Sequence, residues 1–135
     1  MSEQEFKHRT KQIALRIIRV VEALPPGKTA DVIGRQLLRS GTSVGANYRA
    51  ACRGKSRADV IAKLGTVEEE ADESIYWPEL LIEADIIPAK RLDGLIAELN
   101  EILAMIVASQ KTLRRNNPKS KIRNRNSVSG GSSAT

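Results

Sequence analysis

Between Gln36 and Arg49 the chain reads QLLRSGTSVGANYR, and the stretch supports two incompatible structures. Ser40, Gly41, Thr42, Ser43, Val44 and Gly45 are all poor helix formers. Each glycine costs about 1 kcal/mol relative to alanine in a helix interior. By propensity the segment is a loop. By spacing it is the middle of a helix: Ile33, Leu37, Gly41, Val44, Tyr48 and Ala51 recur at steps of three and four, the signature of one helical face. A helix so weak intrinsically forms only where packing holds it. Small residues at Ser40, Gly41, Gly45 and Ala46 remove the bulk that would keep neighbouring helices apart. The spacing therefore predicts a helix running through both glycines. The alternative is a loop over residues 40–47 in an irregular three-helix fold. The segment is not a phosphate-binding loop, because no lysine follows Gly45 and no G-x-G-x-x-G occurs.

The flanking sequence supplies three more helical patterns. Residues 1–24 carry an inward stripe of Phe6, Thr10, Ile13, Ile17, Val20 or Val21, and Leu24. The first few residues show no anchor and are expected to fray. Pro25, Pro26 and Gly27 end this helix. Thr29 is the expected N-cap of the second helix, with Asp31 favourably placed for its dipole. Arg53, Gly54 and Lys55 break the chain again. Ser56 with Asp59 resembles a capping box that opens a third helix. Its stripe is Val60 or Ile61, Leu64, Val67, Ala71, Ile75, Pro78 and Ile82. Pro78 predicts a kink between Ser74 and Pro78, or an early end. After a connection over Glu83–Ile87, Pro88 suits the first position of a fourth helix. Leu92, Leu95, Leu99, Ile102 and Ile106 mark its buried face, and Leu113 is its last apolar member. Short connections favour antiparallel neighbours. The predicted fold is all-α, an up-down-up-down four-helix bundle over residues 1–113, with residues 114–135 a disordered basic C-terminal tail.

Three separated runs, LLRSGTSVGANYR, KSRADVIAKL and EEADESIYW, stand in an order that resembles the bacterial four-helix bundle family first noticed as reading frames in 23S rRNA intervening sequences. The resemblance spans roughly Phe6 to Leu113. It implies an up-down bundle that assembles as a ring, a pentamer, and it implies no known activity. It is distantly similar to the accessory protein of diversity-generating retroelements, which binds nucleic acid and a reverse transcriptase. Pro78 departs from the family, which usually has an aliphatic residue after the Tyr-Trp pair.

Charge is unevenly placed. Residues 1–65 carry 13 basic and 5 acidic side chains, residues 66–113 carry 3 and 11, and residues 114–135 carry 6 and none. Distribution governs partners more than the net value does. The tail residues Arg114, Arg115, Lys119, Lys121, Arg123 and Arg125 are candidate contacts to nucleic-acid backbone, and so are Arg49, Arg53, Lys55 and Arg57 on the body. Few aromatics are interleaved with them, which argues against base stacking and for backbone contact with little sequence preference. Trp77 reads as a packing anchor, in the core or between subunits.

The chemical inventory is thin. His8, the single histidine, lies among surface residues. Cys52, the single cysteine, reads as a small apolar filler, although Arg49, Arg53 and Arg57 nearby would lower its pKa. No Glu-x-x-His pattern supports a di-metal site. No catalytic, metal or cofactor residues are assigned, and the chain is expected not to be an enzyme. Without an apolar leader or a membrane-length apolar run, it is expected to be cytoplasmic. Two function classes remain: an oligomer that binds RNA or DNA backbone, and an oligomeric scaffold for a protein partner whose tail only aids solubility.

Overall fold

The computed structural model describes residues 1–116. Four helices make up the body: α1 (Glu3–Glu22), α2 (Lys28–Cys52), α3 (Arg57–Glu83) and α4 (Asp93–Arg115). α2 packs along both α1 and α3, and α3 along α4, while α4 meets α1 more sparsely. The result is the expected up-down-up-down bundle. No helix among the described residues is long and apolar enough to cross a membrane.

α2 is continuous through Gly41 and Gly45, so the spacing prevails over propensity. The physical reason is close packing on both sides. Val44 and Leu37 are fully buried. A Cβ built on Gly41 would meet Ile17 of α1, with Cγ2 at 3.1 Å and Cγ1 at 3.3 Å. One on Gly45 would meet Thr10 Oγ1 at 3.1 Å. On the other side, the buried hydroxyls of Ser40 and Ser74 lie 3.0 Å apart and join α2 to α3. Ala46, by contrast, is exposed and takes no part in this contact.

The ends of the helices differ from expectation in several places. The first turn of α1 is anchored by a capping box: Ser2 Oγ accepts from Glu5 N at 3.1 Å, and Glu5 Oε1 accepts from Ser2 N at 2.8 Å. The N-cap of α2 is Gly27, not Thr29, because the chain leaves Pro26 with φ +155° at Gly27, a conformation open to glycine. At α3, Ser56 caps Asp59 N as expected, but the Asp59 carboxylate accepts from Lys55 N at 2.9 Å, one residue before the N-cap. Pro88 leads a 3-10 turn, Ala89–Arg91, and α4 starts only at Asp93.

α3 runs past Pro78 to Glu83, so the helix does not end early. Ile75 lies before the proline and the fully buried Leu81 after it, both in the core. Burying a Leu side chain is worth about 1.5–3 kcal/mol, comparable to the cost of about 3 kcal/mol for a proline in a helix. Leu81 rather than Ile82 completes the buried stripe, and Ile82 is half-buried. The last helix extends to Arg115, so Arg114 and Arg115 belong to α4 and not to a tail. The disorder expected beyond them, together with Lys119, Lys121, Arg123 and Arg125, lies outside the described residues.

Candidate nucleic-acid interface

Antiparallel packing sets the start of α1 beside the end of α2, where the Phe6 and Tyr48 rings lie 4.4 Å apart. The start of α3 is tied to the end of α4, since Arg57 Nη1 donates to the Leu113 carbonyl at 3.3 Å. Four helix ends therefore share one end of the bundle. They bring Arg49, Arg53, Lys55, Arg57, Arg114 and Arg115 together there, although sequence separates them by up to 66 positions. The carboxylates of this end are engaged locally. Glu3 pairs with Lys7 at 3.1 Å, Glu5 belongs to the cap, and Asp59 binds Lys63 at 2.6 Å. Asp59 and Glu5 are both held below the usual carboxylate range, Asp59 mainly by Lys63 and Glu5 mainly by Ser2.

Beside this end an open groove of about 760 Å³ runs between α1 and α2. Lys7, His8 and Lys11 line it from α1, and Arg49 and Arg53 from α2. Its floor is Ala14, Thr42, Gly45 and Ala46, and no carboxylate lines it. The glycine that admits Thr10 to α2 thus also leaves a hollow under the cations. Arg49 and Arg53 belong to this groove, whereas Lys55, Arg57, Arg114 and Arg115 lie outside its lining. The sequence reading missed Lys7, His8 and Lys11. Their signal is the i, i+4 spacing of Lys7 and Lys11, opposite a stretch of α2 with little side-chain bulk.

The arrangement suits a polyanion held through its backbone. Tyr48 is half-buried, and burial is the main cause that pushes its phenol pKa up. Trp77 packs against the core on α3, and its Nε1 donates to Glu73 at 3.2 Å. Tyr76 is exposed, next to the acidic Asp72 and Glu79 positions of α3. No phenylalanine, tyrosine or tryptophan lines the cationic groove. Cys52 is half-buried, and burial raises its thiol pKa despite a bond from Tyr48 that lowers it. The arginines therefore do not activate it. Among the described residues no three His, Cys, Asp or Glu side chains gather as a metal site.

Part of the charge division is met inside the bundle, through two arginines. Arg9 of α1 forms a two-pronged pair with Glu98 of α4, at 2.8 Å from Nε and 2.7 Å from Nη2, and reaches Glu101 at 2.8 Å. Arg39 of α2 meets Glu70 at 3.2 Å and also Glu73 of α3. These arginines hold Glu98 and Glu73 below the usual carboxylate range.

The crystal structure of a protein of unknown function from the S23 ribosomal protein family of Bacteroides thetaiotaomicron is similar to this chain. It is 35% identical, with a TM-score of 0.76, over 82% of this chain and 99% of that one. No curated protein matches. The sequence model of the 23S rRNA-intervening sequence proteins matches residues 2–108. With its three ordered motifs inside that span, the chain belongs to the 23S rRNA-intervening sequence protein family.

Proposed function

We propose that the protein is a non-enzymatic homo-oligomer that binds nucleic-acid backbone at the basic end of the bundle. The observation that carries this reading is the gathering of Arg49, Arg53, Lys55, Arg57, Arg114 and Arg115 beside a groove lined by cations and no carboxylate. Phosphates are recognised by such groups without base reading. Subunits join head to tail, the outward cations of α1 and α2 against the outward carboxylates of α3. A two-fold contact centred on either patch would oppose like charges, whereas a ring does not. Family resemblance gives the ring five members, and the cytoplasm is its expected place.

The test is a titration of labelled single-stranded RNA and duplex DNA with the full chain across a range of salt. Each phosphate neutralised contributes about −0.7 to the log–log salt slope on single strands and about −0.9 on duplex. R114Q/R115Q is expected to flatten the slope by about 1–2 on that scale, and R49Q/R53Q does the same where the groove is open to phosphate. No binding by the parent at low salt would sink the reading and favour the scaffold for a protein partner. Light scattering tests assembly, and a monomer or simple dimer at micromolar concentration would count against the ring.

A further inference from the structure

We infer a second anion site, for a small phosphoryl group, at the seam between α1 and α4. A pocket of about 210 Å³ opens there, lined by Arg16, Arg19 and Val20 of α1, Arg91 of the 3-10 turn, and Ile87 and Leu95. Three arginines from two separate elements line it, and no carboxylate does. The other arginines between helices behave differently, since Arg9 and Arg39 each hold two carboxylates. Arg16, Arg19 and Arg91 form no ion pair among the described residues. Glu98 feels the Arg16 charge, but both its oxygens already accept from Arg9.

A second observation sharpens the imbalance. The Arg16 guanidinium lies against the first turn of α4, where a Cβ on Gly94 would come 3.1 Å from its Nη2. That turn is the positive end of a helix dipole, where cations are disfavoured. Its N-cap, Leu92, supplies no side-chain acceptor. Asp93 is the one acidic residue of the turn. The Arg16 cation thus sits on a positive helix end, an arrangement that a bound anion relieves. Guanidinium forks match phosphate oxygens in geometry. The volume is below the usual 300–1,000 Å³ of drug-sized sites, so the pocket takes a phosphate or diphosphate rather than a whole nucleotide. The seam lies away from the Arg49 and Arg53 groove, so this site stands or falls independently of the nucleic-acid reading.

The experiment is calorimetric titration of the full chain with pyrophosphate, with 15N chemical-shift mapping. The expected result is one pyrophosphate per chain and amide shifts at Val20, Gly94 and Leu95. R16Q/R91Q is expected to weaken binding at least tenfold, whereas R39Q, whose arginine is already held by two carboxylates, leaves it unchanged. Inorganic phosphate and an oligonucleotide with or without a 5′-phosphate separate a free anion from a strand terminus as the source. The inference is overturned if pyrophosphate does not bind, if the shifts fall at Gly45 and Ala46 instead, or if an acidic peptide outcompetes pyrophosphate at the pocket. The shift map on the parent keeps the test valid should the double variant fail to fold.

Discussion

Alanine substitution at three mid-helix glycines separates intrinsic propensity from packing. In a helix interior alanine is favoured over glycine by about 1 kcal/mol, partly through the unfolded chain. At Gly65 that gain is free, because the new Cβ meets only the Gln110 amide at an ordinary 3.6 Å. At Gly45 the Cβ would stand 3.1 Å from Thr10 Oγ1 and 3.3 Å from its Cβ, so gain and crowding nearly cancel. At Gly41 it would press on three Ile17 atoms, and Ile17 is fully buried. The Cδ1 of Ile17 can swing aside, but Cγ1 and Cγ2 belong to a β-branch with one preferred χ1 in a helix. Relief requires α1 and α2 to separate, at about 1–3 kcal/mol for overpacking.

The expected order of stability is therefore G65A above the parent, G45A close to it, and G41A below. Subtracting the propensity gain from the overpacking cost leaves G41A up to about 2 kcal/mol less stable than the parent. Urea unfolding followed by far-UV circular dichroism on the full chain measures all four proteins. The m-values should agree if only stability changes. If G41A unfolds at or above the midpoint of G65A, Gly41 is not a close helix contact and the account of α2 is wrong. Leucine at Gly41 enlarges the same effect.

Other outcomes follow from individual contacts. Glu98 titrates below its ordinary range because Arg9 holds it, so the pair stabilises the fold above the unfolded carboxylate pKa and is lost as pH falls through the folded one; an acid unfolding curve of E98Q should lack that contribution, on the order of 1 kcal/mol for a partly exposed pair. Trp77 donates to Glu73, which Arg39 holds below the usual range, so the emission of this single tryptophan should step at a pH below ordinary glutamate titration, and E73Q should abolish the step. Replacing Pro78 with alanine removes a cost of about 3 kcal/mol and loses two buried methylenes worth about 0.8 kcal/mol each, so thermal melting should rise.

The buried faces were legible because their period is physical. Ile33, Leu37, Val44 and Ala51, and likewise Leu95, Leu99, Ile102 and Ile106, are buried as spaced. Helix starts were harder. Ser2 and Glu5 form a capping box that the sequence contains, yet a search for apolar anchors passes over it. Thr29 has the chemistry of a cap, but the backbone turns at Gly27, two residues earlier, and chain direction is a tertiary outcome. Gln110 is buried within an otherwise fading stripe; with its amide turned to donate to Glu68 at 2.7 Å it accepts from Gly65 N at 3.1 Å, a pairing between α3 and α4 that periodicity does not reveal. At the candidate interface, residue type pointed to Arg49 and Arg53. The groove around them depends on which face of α1 meets α2, which required the fold.

The two parts of the proposed function draw on the same cations, and this makes them separable. If the acidic face of one subunit covers the α1–α2 groove of the next, Lys11, Arg49 and Arg53 are engaged in assembly and closed to phosphate. Nucleic acid is then left with Lys55, Arg57, Arg114 and Arg115 at the end of the bundle, outside the groove. In that arrangement R49Q/R53Q shifts the subunit association seen by light scattering and leaves the salt slope of each assembled chain intact, while R114Q/R115Q lowers the slope and leaves association alone. If the groove is the phosphate site, the first variant lowers the slope and the rings persist. Arg9 and Arg39 do not enter either outcome, because each already holds two carboxylates within its own bundle. A variant such as R39Q should therefore alter melting before it alters binding or assembly, and it serves as the internal control. Equal effects of all three variants on both readouts would mean that net charge alone, and no particular face, governs this protein's contacts.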